Sequence, residues 1–446
     1  MANDHWIYDT PPLSDVEAKL RPLLAQLGKD NKLLGVQVCA YKDGKVIVDT
    51  AGGLLEKDGD RRVQPDSLFP VFSVTKGITA GMLHWLIDAG KLKLEHSVAS
   101  IWPEFGSNGK DHIKVHHALN HTSGLHNALA DVVLGNPFLM SNWEECLKST
   151  AMSEPESEPG KEQTYHYISY GYICGGIIEH ASGKKYQKIL EEAFIRPLKL
   201  EGELYVGIPA GKSASLLCVE ARLASLAPYG DDPKKLSEIG SRLDLPSSLK
   251  PDNIQQAATM VPALFNMLNI RRAIIPAANA HCSARALARY YASLVDGGAI
   301  PPPHPTSSST PPLGSHPHNP HYPAAENSPS SPKKDKLFSN PKIHDAFMGV
   351  GEYASLVMQD GIFGLGFKRC HHSKDNSLIG FGHSGMGGST GFCDIQNKFA
   401  IAVTLNKMSY GAETARIIQL VCSELNIPVP EEYSGFEDSD AKVLVN

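Results

Sequence analysis

"FPVFSVTKGITAGMLHWLIDAGKL", residues 69–92, opens as a short apolar segment and turns into a helix. Val74, Ile78, Met82, Leu86 and Ile87 recur at helical spacing and form the stripe expected to be buried. Gly90 ends the helix, with Lys91 just beyond it. Ser73 and Lys76 fall in the first turn. Positions i and i+3 share a helix face, so the lysine can reach the serine oxygen. A serine hydroxyl is a poor nucleophile until a base takes its proton, and lysine is a base only if burial or nearby charge lowers its pKa. Free N–H groups at a helix start favour developing negative charge. The other reading is a helix-capping serine beside a solvated lysine. The S-x-x-K spacing also begins at Ser107, Ser182, Ser247 and Ser439, but there it crosses glycine, a loop or the tail.

On the N-terminal side, Val16, Leu20, Leu23, Leu24 and Leu27 predict a helix over 16–28. "GVQVCAYKDGKVIVDTAGG" (35–53) predicts a hairpin turning at Asp43-Gly44. Residues 112–300 read as mainly helical. "GYICGGIIEHASG" ends in a glycine cap, and Ser283 is placed to cap "ARALARYYASLVDGG". Residues 301–335 are rich in proline and serine and predict an unpacked, disordered insertion. "SLIGFGHSG", "GSTGFCDIQ" and "KFAIAVTLN" then predict three strands, and 412–425 a last helix. Strands at both ends with helices between imply an α/β (α+β) fold. In it, N- and C-terminal strands share one antiparallel sheet, flanked by the terminal helices, and a mostly helical lobe is inserted. The expected organisation is an N-terminal extension and helix at 1–31 and a catalytic domain at 32–425. The α/β part of that domain is about 32–80 and 336–425, its helical lobe about 81–300, and a loose acidic tail occupies 426–446.

Composition narrows the function. The chain has 446 residues, 20% of them charged, and a net charge of −6, so no basic face for nucleic acid is implied. The 8 cysteines are scattered without a C-x-x-C pair, which fits reduced thiols. The 19 histidines include no H-E-x-x-H, so no metal is expected, and no cofactor. No stretch has the ~18 apolar residues of a membrane span, and the N-terminus does not resemble a signal peptide. A cytoplasmic location is the expectation.

Two further stretches add chemistry. In "TYHYISYGYICGGIIEHASG" (164–183), Tyr167 can act as base and donor if a lysine lowers its pKa; Tyr165, Tyr170 and Tyr172 read as core. In "GFGHSGMGGSTGF" (380–392), His383-Ser384-Gly385 would lie at a strand edge, where the Met386 N–H could face an oxyanion; a glycine-rich turn is the plain alternative.

Taken in order, these boxes resemble the serine β-lactamase/penicillin-binding-protein superfamily, nearest the class C branch with its esterases, DD-peptidases and acyltransferases. Ser73-Val74-Thr75-Lys76 resembles the S-x-x-K box, Tyr167-Ile168-Ser169 the Y-x-N box, and His383-Ser384-Gly385 the K-T-G or H-x-G box. "ALNHTSGL" (118–125), "IRPLKL" (195–200) and "FGLGF" (363–367) resemble framing segments. The likeness spans roughly 32–425 and extends to plant members of the family. It implies Ser73 as the acylated nucleophile, and Lys76 and Tyr167 as partners in proton transfer. The N–H groups of Ser73 and Met386 would form the oxyanion hole, with Ser169, His383, Ser384 and Gly385 binding substrate. Two departures stand out. Ser169 replaces the usual Asn, and His383 replaces the Lys of antibiotic-hydrolysing members; a histidine is only partly charged near neutral pH. Both point from lactams and peptides towards carboxylic esters.

The expected activity is therefore a serine esterase taking a small-molecule ester or acyl donor. An acyltransferase using the same acyl-enzyme is the alternative, with Phe138, Trp143 and Tyr229 as candidates for an apolar acyl pocket. A non-catalytic binding scaffold is the alternative of another class.

Overall fold

The computed structural model describes residues 6–130, 135–210, 214–229, 254–306, 309–317 and 335–435. Its main sheet is built from β1 (Gly35–Lys42), β2 (Lys45–Gly53), β6 (Lys368–His371), β7 (Leu378–Ser384), β8 (Thr390–Asp394) and β9 (Phe399–Leu405), in the order β2-β1-β9-β8-β7-β6. All neighbours run antiparallel. The expected join of N- and C-terminal strands is the β1–β9 pairing, with Val38 opposite Val403. The hairpin turns at Asp43 and Gly44, both at positive φ, which matches the right-handed twist of the flanking strands.

Strand alternation divides the core between two faces. Val36, Val38, Ala40, Ile401 and Val403 pack against α1 (Asp15–Lys29), through Leu20, Leu24 and Leu27, and against the C-terminal helix Ala412–Glu424, through Ile417, Ile418 and Val421. On the other face lie Cys39, Tyr41, Ala400 and Ala402. Helix α2 (Val74–Asp88) and the helices behind it join this second core. Numbering only the helices that the site uses, α3 is Trp143–Met152, α4 Ser169–Ser182 and α5 Ala284–Val295. Among the described residues, no helix is long and apolar enough to cross a membrane.

The structure differs from several of these expectations. Helix α2 is buried nearly all round, from Val74 to Leu86, and not only on one stripe. It is apolar on most sides because it lies between the sheet and the helical lobe. The mostly helical 81–300 lobe also contributes β4 (Leu204–Val206) and β5 (Ala280–Cys282), which form a second antiparallel sheet with β3 (Phe69–Pro70), in the order β3-β5-β4. Strands of two or three residues leave no alternation to read. Helix α5 also packs on β1, β8 and β9, so it belongs to the sheet layer.

The Pro/Ser-rich insertion is docked where it is described. His304 is buried between Tyr41 Oη at 3.0 Å and Asp49 Oδ2 at 2.8 Å, and His316 meets Asp66 at 2.8 Å. The Pro301 and Pro311 carbonyls accept from Arg289 and Arg285. Polar backbone and histidines supply what the tract lacks in apolar side chains. Its 318–334 part lies outside the described residues, as do 436–446 of the tail. The tail's first part is anchored: Tyr433 is buried, stacks on Phe392 at 5.5 Å and meets Thr390 Oγ1 at 2.7 Å.

Candidate active site

Strand β3 delivers the chain to Ser73. The Val71 N–H donates to Ala280 O, and Phe72 then takes φ +46°, a left-handed conformation costly for a bulky residue. Its ring is held against Phe265, with centroids 5.0 Å apart. The kink sets Ser73 at the head of α2. Its side chain caps nothing, which removes the capping reading. Among the described residues, its own N–H donates to no acceptor. The hydroxyl is held for something other than helix termination.

Lys76 lies one turn on, fully buried. Its Nζ is 3.2 Å from Ser73 Oγ and donates to the Ala277 carbonyl at 3.1 Å. No carboxylate partners it among the described residues. Burial holds its pKa well below the ordinary lysine range, with Cys174 alone working weakly in the other direction. The amine is thus biased to its neutral, basic form. The solvated-lysine reading fails with the capping one.

The segment before α4 brings two tyrosines to this pair. Tyr165 lies with its ring face 4.8 Å from Lys76 Nζ. Its hydroxyl is buried and turned towards the Ser73 hydroxyl. Burial raises its pKa, and Ser73 opposes the rise. Tyr167 meets Tyr165 edge to face at 4.9 Å. Tyr165 had read as core together with Tyr170 and Tyr172; those two are core, but Tyr165 is at the site. The signal was available: in an extended T-Y-H-Y stretch, residues 165 and 167 share a side.

His166, between them, faces away. Its Nδ1–H donates to Thr164 O at 2.6 Å, so its Nε2 accepts from the Ser123 hydroxyl at 2.7 Å. Its N–H donates to His121 Nδ1 at 3.1 Å. The loop 121–125 therefore locks the tyrosine segment in place, a role that sequence reasoning missed. Ser169 opens α4, buried, with its hydroxyl given to the His126 carbonyl at 3.2 Å. It is not directed at Lys76.

Strand β7 closes the site from the other side. A Cβ on Gly385 would collide with the Val71 carbonyl oxygen, so only glycine lets the strand end pass so close to Val71 and Phe72. The turn that follows, with Gly387 and Gly388 at positive φ, leaves Met386 40% exposed. Ser384 is buried opposite Thr390. His383 is buried beside Tyr165 and Phe363, at ring distances of 6.3 and 5.7 Å. Its Nδ1–H donates to Ser384 O at 2.8 Å, and its buried Nε2 has no partner among the described residues. Burial, then Lys76, pushes its pKa down to about 3.

The three aromatics considered for an acyl pocket do not gather at Ser73. Trp143 packs between α3 and α4 on Tyr172, its indole N–H donating to Glu179 at 3.2 Å. Phe138 is exposed, and Tyr229 stacks on Tyr410 at 4.4 Å.

The fold thus sets a buried serine–lysine pair at the head of a helix between an antiparallel sheet and a helical lobe. The chain belongs to the Beta-lactamase family, whose model matches residues 20–422. It is 26% identical over 385 residues to the esterase/beta-lactamase LipL of Mycobacterium tuberculosis, covering 84% of this chain and 77% of that protein. It is 25% identical to esterase EstB of Burkholderia gladioli over 199 residues, 42% of this chain and 50% of that one. Among solved structures, a family VIII carboxylesterase superposes with a TM-score of 0.69 at 23% identity, over 94% of this chain and 99% of the other. A penicillin-binding protein homologue from Caulobacter crescentus gives 0.65 at 26% identity, over 93% and 98%.

Proposed function

We propose that the chain is a serine hydrolase of carboxylic esters, working through an acyl-enzyme on Ser73. The observation that carries this reading is the buried Lys76 amine, 3.2 Å from a serine hydroxyl that caps no helix. Lys76 takes the Ser73 proton as Oγ attacks the ester carbonyl. Tyr165, whose hydroxyl faces Ser73 and whose ring lies 4.8 Å from Lys76 Nζ, takes the share in proton transfer expected of Tyr167, and the N–H groups of Ser73 and Met386 hold the oxyanion. The alcohol leaves, and water then resolves the acyl-enzyme.

Electrostatics favour a neutral ester. His383 and His166 are held at about 3, chiefly by burial, and burial lowers His121 and Lys76 as well. The three histidines offer no fixed positive charge to a substrate carboxylate at neutral pH. The likeness to two proteins named as esterases agrees with this.

Intact-mass spectrometry after exposure to a fluorophosphonate or a p-nitrophenyl acyl ester, beside Ser73→Ala, tests the reading. One adduct on the wild-type chain, absent from Ser73→Ala, is expected. No adduct on folded wild-type protein would overturn it and favour a binding scaffold.

A further inference from the structure

The Tyr165 ring is held between two other parts of the chain. The His121 ring lies 4.8 Å from it, and Phe363 stacks on it at 5.5 Å. Phe363 also meets His121 edge to face at 4.5 Å, so the two walls touch. One side chain ties both walls to the tyrosine segment. Gln163 Nε2 donates to the Asn120 carbonyl at 2.8 Å and to the Phe363 carbonyl at 3.2 Å, and its Oε1 accepts the Phe363 N–H at 3.0 Å. The partners fix which end of the amide is nitrogen, because carbonyls only accept and a backbone N–H only donates. The amide thus pairs with Phe363 as a neighbouring strand would, and gives its other N–H to the residue before His121. Gly361 makes the room for it: a Cβ there would come within 2.8 Å of Oε1 and 3.0 Å of Nε2. Of side chains this long, only glutamine sets donors and an acceptor in one uncharged plane.

We propose that Gln163 is a positioning residue of the Ser73 reaction: its amide fixes both walls of the Tyr165 ring, and with them the direction of the Tyr165 hydroxyl towards Ser73. This rests on the serine-hydrolase reading above. Gln163 moves no proton and spends its amide on backbone groups. It acts through Asn120 and Phe363. If either wall slides, the Tyr165 ring turns and its hydroxyl leaves the path of the Ser73 proton. The ester itself does not bind to this amide. Losing the amide therefore falls on the chemical step and not on substrate binding.

The test compares wild type, Gln163→Met and Gln163→Glu in p-nitrophenyl acetate turnover and in the rate of fluorophosphonate labelling. Each variant is first checked for a cooperative melt. Gln163→Met keeps the length and removes the three hydrogen bonds. Its kcat and labelling rate should fall by about ten-fold or more, with KM within about two-fold of wild type. Gln163→Glu supplies a readout that a merely structural role would not move. An ionised carboxylate would face the Asn120 and Phe363 carbonyl oxygens, so the position favours the protonated acid. That acid can accept the Phe363 N–H and donate its O–H to one carbonyl, which restores part of the clamp. The ratio of Gln163→Glu to wild-type kcat should therefore rise by about five-fold as pH falls from about 8 to about 5. If Gln163→Met does not fold, Gly361→Ala takes its place. It leaves the glutamine present but crowds its amide, and the same fall in kcat at constant KM is expected. An unchanged kcat in the folded variant, a loss carried by KM alone, or a Gln163→Glu ratio flat in pH overturns the inference. A wild-type protein that never labels at Ser73 overturns the serine-hydrolase reading instead, so the two failures are distinct.

Discussion

Replacing Lys76 by Met keeps the length and burial of the side chain and removes the amine. The structure fixes what should follow. In the folded chain, Lys76 is fully buried without a carboxylate, and burial holds its pKa well below normal. In the unfolded chain it titrates near ~10.4. Below that pH, and down to its folded value, the unfolded chain binds a proton that the folded chain lacks. Acid therefore favours unfolding, and wild-type stability rises with pH at about 1.4 kcal/mol per unit from this one group. Lys76→Met lacks the contribution. Between pH 7 and pH 9, the wild type should gain stability on the variant, by at most the linkage slope of about 1.4 kcal/mol per unit. At pH 7, Lys76→Met should be the more stable protein, less the ~1–3 kcal/mol for leaving the Ala277 carbonyl without its donor. Acylation should fall by about 1000-fold or more, because a nucleophile and its base fail as a unit. Urea unfolding of both proteins at pH 7, 8 and 9, with p-nitrophenyl acetate turnover on the same samples, measures both halves. A stability difference that stays constant over that range would show Lys76 already protonated in the fold, and an ammonium cannot be the base.

Other outcomes follow from the same contacts. Ser73→Ala should lose the covalent adduct yet change stability by less than about 0.5 kcal/mol by denaturant titration, since a true capping serine would cost ~0.5–2 kcal/mol. Gly385→Ala should push the end of β7 off Val71 and Phe72, lowering kcat/KM by about 100-fold in a protein that still melts cooperatively. His383 has its pKa pushed down to about 3 from the usual 6.5. Stability from this group is complete above pH 6.5 and is lost on acidification towards 3, at about 1.4 kcal/mol per unit. His383→Gln should flatten the acid side of the stability curve between pH 6 and 4 by that slope.

The apolar patterns marked the elements whose partners are long in sequence. The spacing in 16–28, the Asp43-Gly44 turn and the strands after 378 each matched what formed. The two- and three-residue strands β3, β4 and β5 did not show, because so short a stretch has no period. The insertion from 301 read as unable to pack. Its docking depends on single polar contacts, such as His304 with Asp49, between residues 255 apart. Composition cannot anticipate those.

Around Ser73 the division is the same. The sequence by itself determined that a serine and a lysine share the first turn of a buried-looking helix, and that a tyrosine segment and a glycine-rich strand end were candidates to join them. Both follow from local geometry, 3.6 residues per turn and alternation along an extended chain. Only the tertiary structure decided that Ser73 caps nothing, that Lys76 is stripped of water and counter-charge, and that Tyr165 offers its ring to the amine while Ser169 turns away to His126. Desolvation and the direction of a side chain are set by groups distant in the chain, such as Ala277, 201 residues from Lys76, and no local pattern contains them.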